Sequence, residues 1–281
     1  MDITKDIETL VDLAFEEDLG NIGDITTKST IDPKKKITTN FISRDTGIVA
    51  GIPLARYCLK KQDQSLKITE YKSDGDKIKP KDIIMSVTGN AQNILQSERI
   101  ALNFMTHLSG IATETSKYVE AICHTNAKIL DTRKTLPGYR TLAKHAVKMG
   151  GGNNHRMGLF DMVLIKDNHI AAAGGVVPAL EKVREATPDI KIEIEVDTLE
   201  QLEEVMLFYD IVDFVLLDNM SPQQLKEALE IIKGKILSEA SGGVNMNTVV
   251  EIAESGVDYI SIGALTHSVK VFDIGLDSVD N

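Results

Sequence analysis

Basic side chains crowd one stretch of this chain, residues 131–170. Arg133, Lys134, Arg140, Lys144, Lys148, Arg156 and Lys166 lie there with His145, His155, His169 and the run Gly150-Gly151-Gly152. The chain as a whole is acidic, 31 basic against 42 acidic side chains giving a net charge of −11. A concentrated basic segment on an acidic protein points to a local site for a small, multiply charged anion, and away from a nucleic-acid surface. Guanidinium forks suit such a ligand, because they meet carboxylate and phosphate oxygens with directed, charge-assisted hydrogen bonds.

Other candidates end apolar runs. Strands are expected at 128–130, 162–165, 190–196, 212–217, 235–238 and 259–262, each followed by a helix. At or just after their ends lie Arg133, Lys166, Glu195, Asp218, Ser241 and Gly263. Successive β/α units make a parallel sheet or a barrel, and the strands' carboxyl ends then share one mouth. Ser241-Gly242-Gly243 and Ile262-Gly263-Ala264 follow the last two strands. They read either as a phosphate cradle built from backbone N–H groups and a helix N-terminus, or as tight turns.

Each charged candidate carries an alternative. Carboxylates close to a phosphate need a bridging hard cation, so Glu195 and Asp218 read as Mg²⁺ or sugar-hydroxyl contacts. They read equally as internal ion pairs with Lys134 or Lys166. Glu193, on the same strand face as Glu195, reads as a paired lumen residue. Lys166 is an anion clamp, a Schiff-base nucleophile with a depressed pKa, or a structural ion-pair partner. So many cations need an anion, which favours the clamp. His155-Arg156 sits on a loop ahead of the strand at 162–165 and reads as a ligand contact. His145 and Lys148, three apart on a helix expected at 139–149, read as a solvated or partner-facing side. Zinc-type ligand spacing is missing.

The elements that must position these residues fall into two parts. Length (281 residues), hydrophobic content (42%) and charged content (26%) suit a soluble protein of one large domain or two ordinary ones. An amphipathic helix is expected at 4–18, then strands near 37–43, 47–50, 66–71 and 82–88, which make an N-terminal α+β domain. A helix at 97–122, broken or bent near Ser109-Gly110, is expected, with the domain hinge close by. Domain bounds are set at 1–108 and 109–269, with the tail 270–281 returning to the first domain. Ser221-Pro222 and Asn247 read as helix starts. Sparse cysteine (Cys58 and Cys123 alone), an N-terminus without a signal-peptide pattern and no long apolar run predict a reduced, cytoplasmic protein that binds no membrane.

Taken in order, several segments resemble quinolinate phosphoribosyltransferases: Gly23-Asp24-Ile25-Thr26, Glu98-Arg99-Ile100-Ala101-Leu102-Asn103 and Leu108-Ser109-Gly110-Ile111-Ala112-Thr113. Asp131-Thr132-Arg133-Lys134-Thr135, Asn154-His155-Arg156-Met157-Gly158-Leu159 and Ile165-Lys166-Asp167-Asn168-His169 continue the match. Leu217-Asp218-Asn219-Met220, Ala240-Ser241-Gly242-Gly243 and Ser261-Ile262-Gly263 complete it over nearly the whole chain. The resemblance implies an incomplete, TIM-like α/β barrel with an N-terminal α+β open sandwich, and a head-to-tail homodimer. It implies transfer of phosphoribosyl from phosphoribosyl pyrophosphate to quinolinate with decarboxylation, in NAD biosynthesis, with Mg²⁺. The family's quinolinate clamp falls on Arg133, His155, Arg156 and Lys166, with Arg99 reaching in from the partner subunit. Its phosphoribosyl pyrophosphate contacts fall on Lys134, Glu195, Asp218, Ser241, Gly242, Gly243 and Gly263. Lys134, Lys166, Glu195 and Asp218 are the expected catalytic set, and Glu195 and Asp218 the expected metal ligands. Lys166 and Asn168-His169 speak against a barrel-sharing paralogue associated with molybdenum transport. A Schiff-base aldolase and a non-catalytic sugar-phosphate sensor are the rivals of other classes.

Overall fold

The computed structural model describes residues 1–186 and 189–279. The described residues form twelve strands, alternating with helices from β5 onward: β1 (Lys36–Ser43), β2 (Gly47–Ile48), β3 (Lys67–Glu70), β4 (Lys77–Ile78), β5 (Ile83–Asn90), β6 (Lys128–Leu130), β7 (Val163–Ile165), β8 (Ile192–Val196), β9 (Phe214–Asp218), β10 (Leu237–Ser241), β11 (Tyr259–Ser261) and β12 (Ile274–Ser278). The chain divides into two compact units, Met1–Ser116 with Thr135–Gly151 and Thr266–Asn281, and Lys117–Lys134 with Gly152–Leu265.

The first unit holds a four-stranded antiparallel sheet, β12-β1-β5-β3, and the small pair β2-β4. Alternation along β1 buries Thr39, Phe41 and Ser43, as a sheet with one covered face requires. Two helices unforeseen in the sequence complete it. Ile52–Gln62 starts at Gly51 with Pro at its first turn, and Ile25–Thr30 is capped by Asp24, whose carboxylate accepts from Thr27 N at 2.8 Å.

The break expected at Ser109-Gly110 does not occur: one helix runs unbroken over Ala91–Ala121. Gly110 serves close approach instead, since a Cβ there would meet the Lys270 carbonyl oxygen at 2.3 Å. Ser109 Oγ meets the backbone N and O of Ala50 at 3.0 and 3.2 Å. The helix expected at 139–149 is Arg140–Met149 and belongs to the first unit. Thr141 donates to Asp6 (2.7 Å), and a Cβ on Gly150 would meet the Ala112 carbonyl at 2.3 Å. His145 is not solvated there: its Nε2 lies 2.8 Å from Asp74 Oδ2, with both side chains largely buried.

The second unit is a six-stranded parallel sheet in the order β6-β11-β10-β9-β8-β7. Beyond β6 the chain adds one bridge, Leu130 to Asn153, and among the described residues β6 and β7 do not pair. It is an incomplete TIM-like barrel. Side chains alternate along each strand. Ile192, Ile194, Val196, Val215, Leu217, Ala240 and Ile260 are buried apolar positions. The intervening Glu193, Glu195, Leu216, Asp218, Glu239, Ser241 and Ser261 face the lumen. The run expected as a strand at 235–238 lies two to three residues early, β10 being Leu237–Ser241. Ser221 caps the helix Pro222–Ile232 as foreseen, whereas the later helix starts one residue past expectation, with Thr248 at its cap position.

Candidate active site

The strands' carboxyl ends enclose a cavity of about 480 Å³. Arg133 and Lys134 reach it from the segment after β6, His155 and Arg156 from the segment before β7, and Lys166 from the residue after β7. Glu195, Asp218 and Ser241 come from β8, β9 and β10. Strand register sets them side by side: Glu195 pairs with Leu216, Leu216 with Glu239, and Asp218 with Ser241.

Buried Asp131 organises the cationic side. Its carboxylate accepts from Asn154 Nδ2 (2.6 Å) and from His155 N (2.9 Å), while its own N–H donates to Asn153 O (3.1 Å). The segment at 153–156 is thereby laid against β6. Arg156 Nη1 donates to Met162 O at 3.1 Å, and Asp161 accepts the N–H groups of Met157 (2.6 Å) and Gly158 (3.0 Å) to close the turn. Burial, and then the neighbouring Arg133, push the Arg156 guanidinium below its ordinary pKa against the pull of Glu193 and Asp161. It stays charged at neutral pH. Two partly desolvated guanidiniums held together repel, and an anion bound between them removes that repulsion.

At the end of β7 Lys166 Nζ pairs with Glu195 Oε2, the ion-pair alternative for Glu195. Asp218 is pushed above the ordinary aspartate range, by burial first and by Asp197 second, with Lys166 and Lys134 pulling the other way. Glu195 and Asp218 both offer carboxylate oxygens to the cavity, the donor type that a hard ion such as Mg²⁺ takes.

The glycines flank the cavity without lining it. Gly242 (φ +94°) and Gly243 (φ +60°) turn the chain directly after Ser241, and a Cβ on Gly242 would meet Asn219 Oδ1 at 2.1 Å. Asn219 N donates to Ser241 O at 2.8 Å, so the loops after β9 and β10 are knit together. The expected helix-terminus half of the phosphate cradle is weak. Only the four-residue helix Ala264–His267 follows Gly263, and Val249–Glu254 begins well after Gly243. Arg99 lies in the first unit, exposed on the helix Ala91–Ala121, and does not line the cavity.

Thr132, Leu164, Leu216, Glu239 and Ser261 also line it, unforeseen in the sequence. Glu239 matters most: burial first, then Glu193, raise its pKa far above an ordinary carboxylate's. Placing β10 at 235–238 hid it. With the strand through Ser241, Glu239 and Ser241 repeat the same-face spacing of Glu193 and Glu195, which is the signal that could have found it.

The chain matches two family profiles, the quinolinate phosphoribosyl transferase N-terminal domain over residues 24–109 and the C-terminal domain over residues 111–277. It is 46% identical over 290 aligned residues to the mitochondrial quinolinate phosphoribosyltransferase [decarboxylating] 2 of Nicotiana glauca, covering 97% of this chain and 82% of that one. To the nicotinate-nucleotide pyrophosphorylase [carboxylating] of Mycobacterium leprae it is 43% identical, covering 94% of each. The solved nicotinate-nucleotide pyrophosphorylase of Ehrlichia chaffeensis superposes with a TM-score of 0.93 at 41% identity, covering 99% of this chain and 100% of that one.

Proposed function

The chain belongs to the quinolinate phosphoribosyltransferase family, and from that premise we propose how its barrel mouth carries the reaction. The enzyme is a carboxylating nicotinate-nucleotide pyrophosphorylase. It transfers phosphoribosyl from phosphoribosyl pyrophosphate to quinolinate with loss of CO2, yielding nicotinate mononucleotide and pyrophosphate for NAD synthesis.

Arg133, His155, Arg156 and Lys166 clamp quinolinate, with Arg99 entering from the partner of a homodimer. Lys134, Glu195, Asp218, Ser241, Gly242, Gly243 and Gly263 take phosphoribosyl pyrophosphate. The observation that carries this reading is the single cavity of about 480 Å³ shared by Arg133, Lys134, His155, Arg156, Lys166, Glu195, Asp218 and Ser241. Its cations sit where β6 and β7 end and its carboxylates where β8 and β9 end. A dicarboxylate and a sugar diphosphate thus find cations and hydroxyl-binding carboxylates in one chamber.

The pyridine nitrogen attacks the ribose carbon as pyrophosphate leaves, through a transition state with oxocarbenium character. Such a step depends on positioning and charge stabilisation more than on a protein nucleophile. Lys166 leaves Glu195 for the substrate carboxylate, which frees Glu195 to hold ribose hydroxyls. Lys134 faces the charge that develops on the departing pyrophosphate. Glu195 and Asp218 would hold Mg²⁺, directly or through water, and the bound ion supplies further neutralisation of pyrophosphate. Once quaternised, the ring nitrogen stabilises through its positive charge the in-plane electron pair left at C2 when CO2 departs, and a proton from water then takes the place of the lost carboxylate. Free Cys58 and Cys123 support placing the enzyme in the reduced cytoplasm. Quinolinate-dependent release of pyrophosphate, with nicotinate as the control, tests the assignment. Equal rates with the two acids would overturn it.

A further inference from the structure

The floor of the cavity holds three buried side chains that face one another. His155 Nε2 lies 3.0 Å from Glu193 Oε2 and 3.5 Å from Glu239 Oε2, and the three side chains are 8%, 0% and 2% exposed. His155, Arg156 and Glu239 also line a second chamber of about 270 Å³ deeper in the lumen, among Lys128, Lys191 and Tyr259. No step in the reaction above uses either glutamate.

The other ring nitrogen fixes where the imidazole hydrogen sits. Nδ1 accepts the Arg156 backbone N–H at 2.8 Å. A nitrogen that accepts carries no hydrogen, so the neutral ring bears it on Nε2, which faces Glu193 and Glu239. Donors are scarce around that pair: Glu239 meets Ser261, but Glu239 Oε1 and both Glu193 oxygens are buried with no hydrogen-bond partner among the described residues, so His155 Nε2 at 3.0 Å from Glu193 Oε2 is an electrostatic contact. Buried carboxylates short of donors hold strongly to the ones they have. Behind the ring, Asp131 takes the His155 N–H, and ahead of it Arg156 Nη1 is tied to Met162 O.

We propose that Glu193 and Glu239 are positioning residues for the substrate clamp. They hold the His155 ring with its hydrogen on Nε2, leaving Nδ1 to take the Arg156 N–H and so set the Arg156 guanidinium in the mouth. This deepens the clamp reading and rests on it. His155 then offers the substrate no ring nitrogen, and its part in the clamp is to aim Arg156. The same three ligand atoms are grouped closely enough to hold a divalent ion. Here the ring hydrogen and the Arg156 charge, which Glu193 attracts, take that place.

The first test uses the wild-type full chain with ¹⁵N-labelled histidine rings. Long-range ¹H–¹⁵N spectra at about pH 7.5 should show His155, assigned through His155→Gln, with a bare Nδ1 and a protonated Nε2. A hydrogen on Nδ1 would overturn the proposal, as would one divalent ion per chain that survives dialysis and is lost in Glu239→Gln. The second test uses Glu193→Met, similar in size and without a strong acceptor. Its KM for quinolinate should rise about tenfold or more, the scale of one mis-set charge-assisted bond, while KM for phosphoribosyl pyrophosphate holds. Glu193→Gln keeps an acceptor and should restore most of the loss. A folded Glu193→Met enzyme with unchanged KM for quinolinate would overturn the proposal. Should Glu193→Met not fold, the wild-type spectra still decide. An Arg156→Met enzyme with normal quinolinate affinity would sink the clamp reading, whereas the ring's tautomer is read on the free enzyme independently of it.

Discussion

Arg133 lowers the pKa of the partly buried Arg156 guanidinium, and on the proposed clamp reading a doubly charged acid relieves that repulsion. Each charge-assisted bond to a carboxylate contributes about 1.5–3 kcal/mol. Arg156→Met or Arg133→Met should therefore weaken quinolinate binding roughly 10- to 150-fold by titration calorimetry, with less effect on phosphoribosyl pyrophosphate. Asp218 has the opposite problem, a carboxylate raised by burial and by Asp197. Because its folded pKa is raised, Asp218 takes up a proton sooner than an ordinary aspartate as pH falls. Turnover at subsaturating phosphoribosyl pyrophosphate should accordingly fade on the acid side from a higher pH than an unperturbed aspartate would give. A chelator should abolish turnover at all pH values yet leave quinolinate affinity intact. Full activity in excess chelator would contradict the roles given to Glu195 and Asp218.

Among the elements, the strand ends of the second unit line the cavity, and in the first unit a helix carries the close contacts. The helix Ala91–Ala121 shows how one glycine decides a contact. An exposed helical Gly→Ala change normally stabilises by about 1 kcal/mol. At Gly110 the added methyl must displace the Lys270 carbonyl from 2.3 Å, and forcing atoms into a packed site costs about 1–3 kcal/mol. Gly110→Ala should thus lower the urea midpoint of unfolding, the reverse of the helix-propensity trend. Val269, also at that contact, and Phe272, whose N–H donates to Thr106 O at 3.1 Å, lie just ahead of β12. Hydrogen exchange along β1, the partner of β12, should quicken in the same variant.

At the scale of the whole molecule, the proposal makes each site depend on two chains. Arg99→Ala and Lys166→Ala should each be nearly inactive. When the two are mixed and subunits exchange, a hybrid dimer holds one site with both Lys166 and Arg99 intact and one site with both lesions. Random exchange makes about half the dimers hybrid, so about a quarter of wild-type activity should return. Activity that stays at the level of the single variants, once mass spectrometry shows exchange, would remove Arg99 from the partner's site.

By itself the sequence determined the family, the reaction class and the β/α strand pattern that places Arg133, Lys166, Glu195, Asp218 and Ser241 at one mouth. These are local signals: motifs read in order, and apolar runs of strand length ended by polar residues. Tertiary structure alone decided the rest. It showed that Lys166 rests against Glu195, since that pairing depends on register between β7 and β8. It kept the helix at Gly110 unbroken, because the reason for that glycine is a carbonyl 160 residues away in sequence. It gave the helix Arg140–Met149 to the first unit through Asp6, Asp74 and Ala112. And it set Glu193, Glu239 and His155 together, three residues from β8, β10 and a loop whose meeting requires the barrel to curve. Spacing along a chain reports on neighbours in one element, whereas burial and pairing belong to residues that only folding brings into contact.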